Sequence, residues 1–216
     1  RFVFLPETIG SIAYINKNLN KMKEKIFAGF NITCVGDERS YSLLLTKYAN
    51  SFSDYIVKKI FEKLKGRKII YSWNDRGSDE RQYCSPFIDL PICSLMRTKY
   101  GKYKEYHNSL DKFHTVVTNR GMMQTINIYK KIIKDIEISK FPISIKKCEP
   151  FMTKYNLYNT LKKNKFKINP KKIMDYLSWC DGKNSSEMIR KKIKVTKLVE
   201  NDIFRLLMKK KLIKIY

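Results

Sequence analysis

The chain has 216 residues, and its 45 lysines and arginines outnumber 20 aspartates and glutamates, which gives a formal net charge of +25. A hydrophobic content of 43% predicts a folded globular protein and excludes a disordered chain. No apolar run is long enough for a transmembrane helix. The five cysteines include no CxxC pair, so the sequence predicts reduced thiols and a cytoplasmic protein.

The positive charge is densest towards the C-terminus. The last 66 residues carry 18 basic and five acidic side chains, whereas the first 150 carry 27 and 15. Two explanations stay open: a solvated lysine surface, including the runs at 162–167 and 191–197, or a polyanionic partner such as nucleic acid or a membrane surface. Since composition alone identifies no groove or base contacts, nucleic acid is a partner that the sequence allows but does not favour.

Apolar patterns predict alternating strands and helices over the first two thirds of the chain. In chain order, the predicted elements are a buried strand at 1–5, a helix at 10–25, a buried strand at 26–35, a helix at 51–65, strands at 68–73 and 87–96, and a long helix capped by Thr118. Pro91 interrupts the fourth strand and indicates an edge or a bulge. The alternation predicts an α/β domain of three layers with a mostly parallel or mixed sheet.

The pattern changes at FPISIKKCEP, a connector with two prolines. The predicted division is 1–147 for the α/β domain and 148–216 for a small C-terminal domain. Helix starts in the second domain are predicted at Asn169 and Pro170, at Asn184 with its capping-box partner Glu187, and at Thr196. Three helices followed by the short alternating strand KLIKIY predict a winged helix.

Polar loops follow the predicted strands, in the segments PETIGS, GDERSYS and DRGSDERQY. Ligands of open α/β sheets bind beyond the carboxyl ends of strands, so a site is expected at these loops. A zinc hydrolase needs metal ligands and a carboxylate base, and His107 and Glu7 are candidates for these roles. Alternatively, Glu7 caps the helix that follows it and His107 is a surface histidine, as His114 is expected to be.

A dense polar cluster is predicted on the same face, formed by Arg39, Asp79, Glu80, Arg81 and Tyr83. These side chains would either bind the termini or acid groups of a substrate or form an ion-paired loop scaffold. Tyr100, Tyr103 and Tyr106 are expected to form an aromatic rim of the site or to pack within their loop.

Three segments, in this order, resemble motifs of the zinc aminopeptidases and related carboxypeptidase-like exopeptidases. PETIGS resembles an E-E-x-G motif, SDERQYCSPFIDLPICSLM resembles an S-D-H-x-x-F segment with a later I-P pair, and YHNSLD resembles Y-H-T-x-x-D, whose histidine ligates zinc. With its expected winged helix, nearly the whole chain is similar to a bacterial aminopeptidase-like zinc peptidase family, a domain of unknown function linked to surface-polysaccharide genes. The resemblance implies a zinc-exopeptidase-like fold and a C-terminal fragment of such a protein.

The resemblance also implies a role for each matching position. Glu7 would be the general base on a metal-bound water, His107 a zinc ligand, and Asp111 the acid that supports the histidine loop. Thr8 and Thr33 stand where the family has carboxylate ligands, so the complete protein would hold one zinc ion rather than two. The remaining ligands would precede the first residue, and this chain alone would hold zinc weakly or not at all.

The expected function is zinc-dependent, aminopeptidase-like hydrolysis of an amide bond in a peptide or an amide-bearing sugar precursor, in surface-polysaccharide biosynthesis. Two alternatives stay open. The chain could be an inactive binding module whose basic winged helix contacts nucleic acid or an acidic protein, or it could be a structural part of an assembly. A homo-oligomer is compatible with every one of these functions.

Overall fold

The computed structural model of the chain describes residues 1–158 and 168–215, so the predicted lysine run at 162–167 lies outside the described residues. The chain divides into two compact units, Arg1–Glu137 and Ile138–Tyr216. The division falls ten residues before the predicted boundary at 147. It does so because Pro142–Ser144 pairs with Ile213–Ile215, which joins the connector to the second unit.

A four-stranded mixed sheet forms the centre of the first unit. Its strands are β1 (Gly29–Asn31), β2 (Tyr41–Leu44), β3 (Lys68–Tyr71) and β4 (Ile92–Met96), in the spatial order β1-β4-β2-β3. The pairs β1–β4 and β2–β3 are parallel, whereas β2 runs antiparallel to β4. The α/β class and the mixed sheet were therefore predicted correctly.

Helices cover both faces of this sheet. They are α1 (Ile9–Lys25), α2 (Phe52–Phe61), the short α3 (Glu80–Tyr83) and α4 (Asn119–Glu137). Side chains alternate between the two faces of a strand. Ile92 of β4 packs against Ile15 and Met22 of α1. On the other face, Phe30 of β1 contacts Tyr129 of α4 with ring centroids 6.0 Å apart.

One predicted strand is absent, and one observed strand was not predicted. Residues 1–5 form no strand, and Phe2 and Phe4 are 77% and 92% exposed although their run is apolar. β2 lies where the sequence predicted a polar loop, because its four residues are too few to show a pattern. Its Ser42 is fully buried and satisfied, since its hydroxyl accepts a hydrogen bond from the backbone N–H of Lys99.

The second unit contains three helices and a two-stranded antiparallel sheet. These are α5 (Pro170–Ser178), α6 (Ser186–Ile193), α7 (Lys197–Lys209), β5 (Pro142–Ser144) and β6 (Ile213–Ile215). The predicted caps Asn169 and Thr196 accept hydrogen bonds from backbone N–H groups. Ser185, not Asn184, caps α6, because the Asn184 side chain donates to Asp181 instead.

The core of this unit is continuous through its helices. Tyr176, Ile189, Ile203 and Leu207 are all fully buried in one cluster. None of the helices in the described part of the chain has the length and apolar character needed to cross a bilayer.

Candidate active site

A pocket of about 390 Å³ opens in the first unit where the segments after β1 and β4 meet the loop before α1. The carboxyl ends of parallel strands form one edge of a sheet, and β1 and β4 are parallel neighbours. The lining side chains are Glu7, Thr33, Cys34, Val35, Asp37, Ser78, Tyr100, Tyr103, Tyr106, His107, Asp111, Val116, Val117 and Met122, with Gly36. Glu7, His107 and Asp111 therefore line one pocket, and the roles given to them stay predictions.

Glu7 lies in the turn that precedes α1. Its Oε1 accepts a hydrogen bond of 2.8 Å from the hydroxyl of Ser78, whose own side chain is buried. Glu7 itself is exposed, so solvent and ligand can reach its carboxylate. The preceding segment forms no strand, which corrects the expectation that Glu7 directly follows one.

His107 lies at the pocket mouth and is exposed. Its ring stacks on the ring of Tyr106, with centroids 3.9 Å apart and an interplanar angle of 19°. Its backbone has φ 60°, in the left-handed region that non-glycine residues seldom adopt. The stacking on Tyr106 and the left-handed backbone of His107 together determine where its imidazole lies in the pocket lining.

Asp111 and Tyr103 form the wall beside His107. The Tyr103 hydroxyl donates to Oδ2 of Asp111 at 2.8 Å, and the Tyr103 and Tyr106 rings meet edge to face at 5.6 Å. Burial and the bond to Asp111 raise the pKa of the Tyr103 hydroxyl. Tyr100, Tyr103 and Tyr106 all line the pocket, and they also pack on one another and on buried neighbours, so both predicted alternatives apply to them.

Several lining residues were not predicted as site residues. Asp37 is buried and accepts hydrogen bonds from the backbone N–H and the hydroxyl of Thr98, both at 2.7 Å. Cys34 is half-buried, and burial raises the pKa of its thiol. Asp37 follows the strand predicted at 26–35 and Cys34 stands near its end, which was the available signal.

The predicted polar cluster supports the loops instead of lining this pocket. Arg39 pairs with Glu105 at 2.9 Å, and this hydrogen bond lowers the pKa of Glu105. Tyr83 packs against the cluster of Ile15 and Met22. Arg39 and Tyr83 therefore have partners within the chain, as the scaffold alternative predicts.

Glu80 is the centre of this scaffold and is fully buried. Its Oε1 accepts from the N–H groups of Gly77 and Ser78 and from the Tyr100 hydroxyl, and its Oε2 accepts from Asn31 and Ser94. Although burial acts against the charged form, these donors hold the pKa of Glu80 below its ordinary value. Asp79 and Arg81 contact Thr8, through its N–H at 2.7 Å and its hydroxyl at 2.9 Å.

The donor set of the pocket does not by itself fit a catalytic zinc ion. Such a site needs three protein ligands. Within residues 1–158 and 168–215, no three His, Cys, Asp or Glu side chains are arranged to hold a metal ion. Thr33 lines the pocket at a position where the motif resemblance implies a carboxylate ligand in related proteins. A neutral threonine hydroxyl does not replace a carboxylate as a zinc ligand.

A larger cavity of about 880 Å³ lies between residues 1–5, α1 and β1. Asp79 and Tyr83 line it, together with Tyr14 and Asn18. It includes neither Glu7 nor His107, so the smaller pocket is the better candidate for catalysis.

Comparison with known proteins gives a consistent result. Residues 1–139 match the model of a family described as Domain of unknown function (DUF4910). A Clostridium acetobutylicum protein, named as a candidate polysaccharide biosynthesis protein with aminopeptidase-like domain, is 34% identical over 187 residues. A 2.37 Å crystal structure of a candidate peptidase from Clostridium acetobutylicum aligns with a TM-score of 0.62 at 30% identity.

These alignments cover most of this chain but less than half of each relative. The sequence match covers 86% of this chain and 42% of the Clostridium protein. The structural match covers 98% of this chain and 47% of the crystallised one. The predicted similarity to aminopeptidase-like proteins is thereby confirmed.

Proposed function

Because this chain belongs to the DUF4910 family and is similar to aminopeptidase-like and peptidase-like proteins, we propose that it forms part of a hydrolase that cleaves an amide bond. The observation that supports this most strongly is the pocket itself. It unites Glu7 with His107 and Asp111, which lie about a hundred residues further along the chain.

In this proposal Glu7 is the general base and acid. It accepts a proton from the attacking water and returns it to the leaving nitrogen, which a carboxylate within hydrogen-bond reach of both can do. The hydrogen bond from Ser78 restricts the rotation of the carboxylate. Exposure to solvent supplies the water.

The charge of the pocket favours a substrate with a cationic amine. Its lining includes three carboxylates, Glu7, Asp37 and Asp111, and no lysine or arginine, although the whole chain carries a net charge of +25. Three tyrosine rings add surfaces that attract a cation. A peptide with a free amino terminus fits this chemistry. An amide-bearing sugar precursor fits it where it also carries a free amine, and such a substrate would suit a role in polysaccharide biosynthesis such as the name of the relative describes.

Zinc is a separate part of the proposal. His107 would be one ligand, and a longer polypeptide of the kind the relatives have would need to supply the others, because the described residues of this chain lack a complete set. The roles given to Glu7, Ser78 and the pocket walls do not depend on the metal.

The direct test is Glu7→Gln in the longest natural polypeptide that contains this chain. The assay uses leucine p-nitroanilide and dipeptides, which carry a free amine, beside N-acetyl-leucine p-nitroanilide and N-acetylglucosamine, which carry an amide but no free amine. We expect turnover to fall by about 10²–10⁴-fold in Glu7→Gln. Glu24→Gln, which removes an exposed carboxylate of α1, is the matched control and should be unchanged. Unchanged turnover in Glu7→Gln would contradict the proposal.

An inactive binding module is the second candidate, and the charge of the second unit favours it. Residues 138–216 carry 21 basic against six acidic side chains, which leaves a net charge of +15. If the unit is the expected winged helix, it would bind nucleic acid or an acidic protein. No turnover by the wild type, together with duplex DNA binding that weakens steeply with salt, would support this candidate.

A further inference from the structure

The backbone at Thr8 is strained. Thr8 has φ 64° and ψ −68°, and the N–H of Ile9 donates to the carbonyl of Glu7 at 2.8 Å. These are the features of a γ-turn in its rare positive-φ form, centred on Thr8. Positive φ is sterically unfavourable for a β-branched residue such as threonine.

Contacts from a distant segment hold the turn. Oδ1 of Asp79 accepts from the N–H of Thr8 at 2.7 Å, and Nη2 of Arg81 donates to the Thr8 hydroxyl at 2.9 Å. Both polar groups of Thr8 that point away from the turn are therefore fixed by residues more than 70 positions away. Ser78, in the same segment, donates to Glu7 itself.

Gly10 also makes room for the turn, because it carries no side chain. The N–H of Gly10 donates to the carbonyl of Pro6 at 3.0 Å, so the chain folds back tightly on the first turn of α1. A Cβ at Gly10 would lie 2.8 Å from Cδ of Pro6 and 2.9 Å from Cβ of Leu5. Any side chain at position 10 would therefore push away the segment that carries Glu7.

We propose that Asp79 and Arg81 are positioning residues that hold Thr8 in its strained turn and thereby aim Glu7 into the pocket. This inference rests on the proposed role of Glu7. Strain is retained in a fold where the surroundings over-determine it, and here two side chains and one tight helix start do so. In this inference, release of the turn would move the Glu7 carboxylate away from Ser78, which donates to it at 2.8 Å.

The first test is kinetic and uses Thr8→Gly in the longest natural polypeptide, with leucine p-nitroanilide. Glycine adopts positive φ without strain, so the unfolding midpoint should be unchanged or higher. It lacks the hydroxyl that Arg81 holds and it also adopts other backbone conformations readily, so the turn is no longer confined and kcat should fall about 10- to 100-fold. Ala49→Gly is the matched control, because Ala49 also has positive φ (53°) but lies outside the pocket. It should leave kcat unchanged. A Thr8→Gly variant with kcat within about twofold of the wild type would overturn the inference, as would a parallel loss of stability and activity.

The second test needs no turnover. Hydrogen exchange at the Thr8 N–H should be protected in the wild type, at least about tenfold faster in Asp79→Ala, and protected again in Asp79→Asn, which keeps an oxygen acceptor. Rapid exchange in the wild type would overturn the inference even if no substrate is cleaved. If Glu7→Gln retains activity while the Thr8 N–H is protected, the proposed function fails, but Asp79 still holds the Thr8 turn. If Glu7→Gln is inactive while Thr8→Gly keeps full activity, the proposed function stands, but the Thr8 turn does not position Glu7.

Discussion

Replacing Glu80 by glutamine should destabilise the first unit strongly, because one buried carboxylate accepts five hydrogen bonds there. Glutamine can keep the three donors on Oε1, but it places an NH2 group opposite the donating side chain of Asn31. Hydrogen bonds to a charged group contribute about 1.5–3 kcal/mol each. The substitution removes the charge and the Asn31 hydrogen bond, and rotation of the Ser94 hydroxyl offsets part of this effect. We therefore expect the free energy of unfolding to fall by about 2–4 kcal/mol.

Urea denaturation at several pH values measures this loss, with Ser94→Ala as the control that removes one donor and leaves the charge. The pKa of Glu80 is lowered in the folded state, so its stabilisation is complete above the ordinary glutamate pKa and is lost as pH falls through the folded value. The difference between wild type and Glu80→Gln should be constant near pH 7 and shrink in acid, below about pH 4.3. A difference under about 0.5 kcal/mol at pH 7, or one that grows in acid, would refute this reasoning.

Two further predictions concern the helix beside the pocket and the metal. Gly121→Ala should lower the free energy of unfolding by about 1–3 kcal/mol in urea denaturation, because a Cβ there would lie 2.0 Å from the carbonyl oxygen of Gly36; unchanged stability would contradict this contact. Elemental analysis of the longest natural polypeptide should find one zinc per chain, lost in His107→Ala and kept in His114→Ala. Two zinc ions per chain would refute the inference drawn from Thr8 and Thr33.

Helices were predicted well because their signal is local. The apolar period of residues 10–25 gave α1 within one residue at its start, and Thr118 was identified as the cap of α4, where its hydroxyl accepts from the N–H of Gly121. A helix needs only its own backbone bonds and one apolar face, and both can be read within a short window. Cap residues add a second local signal.

Strands were predicted less well because a strand depends on its partners. The run RFVFL has the composition of a buried strand, yet Phe4 is 92% exposed and the run pairs with no strand among the described residues. Tyr41–Leu44 has a weak pattern, yet it lies between β3 and β4 and its Leu43 and Leu44 are fully buried. Position in the sheet, not local composition, decides burial here.

The site residues show the same contrast between local signals, which the sequence reveals, and distant partners, which it does not. Glu7 and His107 were proposed as site residues from their places after predicted strands and from the resemblance of PETIGS and YHNSLD to peptidase motifs, and both line the pocket. The cluster around Asp79 and Glu80 could not be assigned from sequence, because the same charged residue types bind substrates and tie loops together. What distinguishes these uses is where each partner lies. Glu80 and Asp79 accept from Tyr100 and Thr8 of the same chain, so they are already satisfied. In the proposed function, substrate recognition would come from the pocket lining, above all from Glu7, Asp111 and the tyrosine rings.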